Sequence, residues 1–205
     1  MKSMNVKSIL LGSVLICASL GAQTPLSGLT ASLEGKLVSF DYSFKVKGDA
    51  PIMGSGTVVF KDGSFDMKGN GLEVCSDGKT RWTIDYSDKE VYIEDVAGDD
   101  VNYVSNPALL LASIEEAFEI TGTKSSSVDG RRSTAVSLVP AVKGTGMTSA
   151  VIYVSGTTPL GLDVTIKDGT VTSFKLANYS LSDGDADFSF DIKSLDNSFS
   201  VTDLR

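Results

Sequence analysis

The chain has 205 residues, 41% of them hydrophobic and 21% charged, which suits a single domain with a sizeable core. Its formal charge of −8 argues against a nucleic-acid partner, because phosphate binding demands clustered Lys and Arg. There is no histidine, which excludes Ser-His-Asp and Cys-His nucleophilic sites and any His-ligated zinc.

Residues 1–22 read as a secretory signal peptide, leaving 23–205 as the mature domain. Lys2 and Lys7 form a positive n-region, Ser8 to Leu20 an apolar run, and Gly21-Ala22 a small-residue cleavage site before Gln23. That run is too short to cross a bilayer as a helix, which takes about 20 residues. Losing Lys2 and Lys7, with no acids beside them, moves the charge from −8 to −10. Acylation at Cys17 is the alternative processing, and Ile16 stands where it wants a small residue. With Cys17 removed, Cys75 is the one remaining cysteine, so no intramolecular disulfide forms, and it reads as a small apolar residue rather than a reactive thiol.

Thr24 and Pro25 open a short helix carrying Leu26, Leu29 and Leu33 on one stripe, ended by Gly35. A strand follows in which Val38, Phe40, Tyr42, Phe44 and Val46 alternate with Ser39, Asp41, Ser43 and Lys45. Next comes a meander. Asp62-Gly63 is a hairpin turn that sets Phe60 opposite Phe65 and Val58 opposite Met67. A two-residue turn at Gly69-Asn70 pairs Met67 with Leu72 and Phe65 with Val74. A three-residue turn at Ser76-Asp77-Gly78 pairs Leu72 with Trp82, because a two-residue loop would send Trp82 to the other face. Ser87-Asp88 then sets Ile84 against Val91 and Trp82 against Ile93. One face is thereby expected to collect Val58, Phe60, Phe65, Met67, Leu72, Val74, Trp82, Ile84, Val91 and Ile93.

The cover for that face is a helix with Asn106 as N-cap, Pro107 first, and a run to Phe118 that places Leu110, Ile114, Ala117 and Phe118 on one stripe widened by Leu111. Further strands are expected near 124–128, 133–139, 150–154, 162–167, 170–177 and 187–193, with tight turns at Asp129-Gly130 and Asp168-Gly169. The fold class is mainly β: a strongly curved antiparallel sheet forming an incomplete, unclosed β-barrel with short α-helices as a lid. Its interior is either filled by core side chains or left partly open as a ligand cavity.

The run from Leu72 through Cys75-Ser76-Asp77-Gly78-Lys79-Thr80-Arg81-Trp82 to Ile84, followed by Val91-Tyr92-Ile93 and Asn106-Pro107-Ala108-Leu109-Leu110-Leu111, resembles the periplasmic outer-membrane lipoprotein carrier family, LolA. The ending from Phe188-Ser189-Phe190 to Phe199-Ser200-Val201 is similar to that family's, and length and order agree over the mature chain. The resemblance implies an incomplete barrel sheltering acyl chains under a helical lid, and a periplasmic carrier moving lipoproteins toward the outer membrane. It makes Phe60, Phe65, Met67, Leu72, Val74, Trp82, Ile84, Val91 and Ile93, with Leu110, Leu111, Ile114 and Phe118 on the lid, the expected acyl-chain contacts. Implied partners are lipoproteins or other acylated ligands, an inner-membrane releasing complex and an outer-membrane acceptor; the acidic surface favours a monomer. Many carriers have a basic Arg-Pro element where this chain has Asp62-Gly63.

Two other classes stay open: a non-transporting envelope sensor or lipid-binding domain on the same fold, and a hydrolase built on a carboxylate pair, although nothing singles such a pair out. No cofactor is expected, since neither a Walker loop nor a dinucleotide fingerprint is present. Asp183-Gly184-Asp185-Ala186-Asp187 reads as an acidic turn, with calcium binding as the alternative. Arg81, Arg131 and Arg132 read as solvated strand and turn positions, or else as contacts for a lipoprotein's polar end or a partner's acidic patch.

Overall fold

The computed structural model describes residues 24–48, 51–96, 103, 106–141 and 145–205. The expected signal peptide, with Cys17, lies outside them. Helix α1 is Ser27–Leu33, followed by strands β1 (Leu37–Val46), β2 (Ile52–Lys61), β3 (Ser64–Gly69), β4 (Leu72–Ser76), β5 (Thr80–Asp85) and β6 (Glu90–Asp95). Helices α2 (Pro107–Ala112) and α3 (Ile114–Ala117) lead into β7 (Phe118–Val128), β8 (Arg131–Pro140), β9 (Met147–Ser155), β10 (Thr158–Ile166) and β11 (Val171–Ser182). A 3-10 turn at Ile192–Ser194 precedes β12 (Ser200–Asp203).

All twelve strands form one curved, unclosed sheet in the order β12-β6-β5-β4-β3-β2-β1-β11-β10-β9-β8-β7. It is two sequential meanders joined where β1 pairs with β11, Phe44 opposite Phe174. Every pairing is antiparallel except β12, which runs parallel to β6.

Several turns follow the residues that define them. Asp62-Gly63 (φ 47° and 84°) and Asp129-Gly130 (φ 48° and 80°) occupy the left-handed region that a two-residue hairpin turn requires. Phe60 faces Phe65 and Val58 faces Met67, as expected.

Two turns differ from expectation. The β3–β4 loop is Asn70-Gly71 (φ 54° and 81°), so Met67, not Phe65, lies opposite Val74, and Leu72 faces Gly69. The β4–β5 loop spans 77–80 between the paired residues Ser76 and Arg81, one residue longer than expected and displaced along the chain, which together shift the register by three. Asp77 Oδ1 accepts from the N–H groups of Lys79 (2.9 Å) and Thr80 (2.7 Å), and Ser76 faces Arg81 across the loop. Trp82 therefore pairs with Cys75 rather than Leu72, and an odd shift of register moves a strand's whole side-chain set to the other face. The pairings of Ile84 with Val91 and Trp82 with Ile93 do form, but on the convex side.

The apolar surface thus changes sides at β4. Val58, Phe60 and Phe65 join the main concave core, with Met67 and Val74 packed against it. Trp82, Ile84, Val91 and Ile93 join Cys75 in a second cluster covered by Phe190, Ile192, Leu195 and Phe199. The strand expected at 187–193 is instead irregular chain that supplies part of this cover.

The lid is shorter than the apolar stripe implies. Asn106 caps α2, its Oδ1 accepting from Ala108 N (3.0 Å) and Leu109 N (3.2 Å). The helix stops at Ser113, and Phe118 begins β7 instead of ending a helix. At α1 the cap position is Leu26, and only the Thr24 carbonyl takes part, accepting from Ser27 N. Leu26, Leu29, Leu110, Leu111 and Ile114 are buried with Val38, Phe40 and Phe60 in one core. Under the lid, then, the interior is filled.

Candidate functional site

Beyond the lid the concave face stays open. A groove of about 370 Å³ lies over β1, β3, β4 and β11, within the size range of small-ligand sites. Its floor is aromatic. Tyr42 and Phe44 stack at 6.4 Å between ring centroids, and Phe174 closes the group at 6.3 Å and 6.0 Å from them. Val46, Met67, Leu72, Val74 and Thr172 complete the walls, with Asn70 at the turn.

Glycines make the floor flat. Gly56 and Gly69 face each other across β2 and β3, and both lie against the Tyr42 hydroxyl. A Cβ at Gly56 would come within 2.7 Å of the Tyr42 hydroxyl and 1.9 Å of the Lys68 carbonyl oxygen. One at Gly69 would meet that hydroxyl at 2.8 Å and the Ser55 carbonyl oxygen at 2.4 Å. The missing side chains let the rings lie down on the backbone, where bulkier residues would fill the groove.

No charged side chain lines the groove. Its one ionisable group, Tyr42, has its hydroxyl pKa raised above the usual 10 by burial. Such a surface can hold an apolar ligand only by contact and water exclusion.

Of the expected contacts, Met67, Leu72 and Val74 come together in this groove. Phe65, Leu110, Ile114 and Phe118 are packed into the core under the lid, with 7% exposure at most. Phe60 and Leu111 border a second cleft, of about 590 Å³, between α1, the α2–α3 segment and the Asp62-Gly63 turn. That cleft is larger, but Glu34, Asp62, Glu115 and Glu116 line it and Thr30 bonds Glu115 across it, so it is poorly suited to an apolar chain. Trp82, Ile84, Val91 and Ile93 are on the opposite face of the sheet and touch neither space.

Sequence reasoning missed Tyr42, Phe44, Val46, Thr172 and Phe174. The alternation of β1 marked the first three as one face, but nothing local placed β11 beside them.

The convex cluster contains a polar network as well. Lys68 Nζ lies 3.0 Å from Asp66 and 3.1 Å from Glu73, and Tyr86 donates to Glu73 at 2.6 Å. Burial opposes the Lys68 charge, yet the bonds to both carboxylates hold its pKa above the ordinary value. Burial, followed by those carboxylates, pushes the Cys75 thiol up to about 12. Elsewhere, Arg81 pairs with Glu94 at 2.9 Å. Asp183 and Asp185 pair with Lys36 and Lys61, and among the described residues no group of three or more acids, Cys or His is placed to hold a metal.

No protein-family model and no curated sequence matches the chain. Among solved structures, an uncharacterized conserved protein from Thermus thermophilus is similar at TM-score 0.54 and 10% identity, over 87% of this chain and 96% of that one. A LolA superfamily protein from Nitrosomonas europaea is similar at TM-score 0.43 and 10% identity, over 78% of this chain and 94% of that one. The unclosed, mainly antiparallel sheet under a lid of short helices is thus a fold shared with the Thermus thermophilus protein.

Proposed function

We propose that this protein is a periplasmic carrier that shelters acyl chains, those of lipoproteins first among them, in the concave groove. The observation that carries the reading is an aromatic-floored, uncharged groove left open beside a filled, lidded core. A chain buried there leaves water at a gain of about 0.8 kcal/mol per methylene, without covalent chemistry. Tyr42, Phe44, Met67, Leu72, Val74 and Phe174 supply the contacts. A sensor on the same fold would use the same groove and differ in holding a stable protein partner; no feature of the groove favours it.

The test is uptake of a triacylated peptide, followed by native mass spectrometry and by displacement of a fluorescent fatty acid. Leu72→Asp and Val74→Asp each place a carboxylate in the groove, and uptake is expected to fall at least about tenfold while circular dichroism stays unchanged. Wild-type protein that takes up neither probe would sink the carrier reading.

A further inference from the structure

The end of the sheet at which the groove opens carries bare apolar side chains. Among the described residues, Met53 and Ile52 are the most exposed large apolar side chains, at 68% and 64%. They are consecutive in β2, so they point to opposite faces of the sheet. Ile52 sits across from Val46, which lines the groove, and Met53 sits across from Lys45. Leu72, a groove residue at the β3–β4 turn, is 43% exposed at the same end. Half-buried apolar surface thus leads from Phe44 through Val46 to Ile52 in water.

We infer that this tip, built on Ile52 and Met53 with Leu72 beside it, dips into the interfacial layer of a lipid bilayer and brings the groove's mouth to the membrane. The inference rests on the carrier reading for its purpose, but not for its observations. A single protein surface would cover one face of the hairpin and leave the other wet, whereas a fluid apolar layer covers Ile52 and Met53 together. On the β1 side the backbone is satisfied, because Val46 with Ile52 and Lys45 with Met53 are ladder pairs, while the outer edge of β2, which β3 pairs only from Gly56 onward, stays among the hydrated headgroups. Lys45 is long enough to keep its ammonium among the headgroups while its stem lies on apolar surface.

The charges around this end are mixed. Lys45 lies opposite Ser173 and Lys47 N–H donates to the Val171 carbonyl, at the end of the sheet where the β10–β11 turn carries Lys167 and Asp168, in a chain whose net charge is −8. Binding is therefore driven by apolar contact and not by anionic lipid. Two anchoring side chains give weak, reversible association, as an exchanging carrier requires.

The experiment is flotation of the ligand-free protein with phosphatidylcholine vesicles, repeated with vesicles that contain phosphatidylglycerol and at raised salt. Expected is co-flotation with both vesicle types, little changed by salt, and a drop of about tenfold for Ile52→Thr/Met53→Thr. Both positions are exposed and threonine keeps the strand, so the melting temperature should be preserved. A second variant, Met53→Trp, adds a fluorophore whose emission shifts to the blue on vesicle addition. Absence of flotation, flotation only with anionic vesicles at low salt, or an unaffected double variant would overturn the inference. So would a stable complex with a soluble protein that the double variant abolishes while vesicle binding is nil. Protein that floats but takes up no acyl probe would leave the tip standing and sink the carrier reading. Protein that takes up the probe but never floats would do the reverse.

Discussion

Ile84 separates the two faces of the sheet experimentally. It is fully buried in the convex cluster with Trp82, Val91 and Ile93, on the side away from the groove. Ile84→Ala removes three carbons, a transfer loss of a little over about 2 kcal/mol. The unfilled space brings the total to roughly 3 kcal/mol. For a chain of this length each kcal/mol lowers Tm by about 2–4 °C, so the midpoint is expected to fall by roughly 6–12 °C. Acyl-probe affinity, measured at room temperature where the variant remains folded, is expected to stay within about twofold of wild type. Calorimetry and probe titration on the same preparation read both quantities. A tenfold loss of affinity with unchanged melting would put Ile84 against the ligand and refute the assignment of faces. A shift below about 2 °C would refute the buried convex cluster.

Asn106→Ala removes the acceptor for two α2 N–H groups and is expected to destabilise by about 1 kcal/mol, read as a shift in denaturation midpoint. Replacement by Asp, which keeps the acceptor, recovers most of that loss. Cys75, buried and with its thiol at about 12, is expected to resist alkylation at pH 8 until the chain is unfolded. Its folded pKa lies above the ordinary thiol value of 9.0, so it stabilises the fold below pH 9 and that contribution is lost as pH rises toward 12. Tyr86, raised from 10.0 to about 12 by burial and its bond to Glu73, acts in the same sense. Stability measured from pH 8 to 11 is therefore expected to decline less steeply in Cys75→Ala than in wild type. Equal slopes would refute the thiol's part in it.

The fold class is legible in the sequence because its signals are local. Asp-Gly pairs announce hairpins, strand alternation gives the β1 face, and Asn106-Pro107 opens α2 where expected. The groove is only partly legible, and the reason is traceable to one loop. A three-residue β4–β5 turn keeps every apolar residue on a single face, which is why the residue pattern favours it. The loop is longer because Asp77 closes it by accepting two N–H bonds. A second apolar face then becomes tolerable because Phe190, Ile192, Leu195 and Phe199 cover it, more than a hundred residues along the chain from Trp82. Alternation states that a residue lies on a face; it does not state which distant segment will cover that face. The same limit hides Phe174, whose place beside Phe44 depends on the β1–β11 pairing.

That pairing also sets the order in which the chain can finish folding. The strands β1 to β6 are synthesised first, yet their concave face needs β11 beside β1 and their convex face needs residues 188–199. Neither cover exists until the C-terminal region has emerged, so the first meander waits with apolar surface bare on both sides. Contacts between distant segments form slowly and leave such intermediates prone to association. The final residues work as a latch: a chain cut before Phe188 would keep its groove-forming strands and still present Trp82, Ile84, Val91 and Ile93 to water as a surface for self-association.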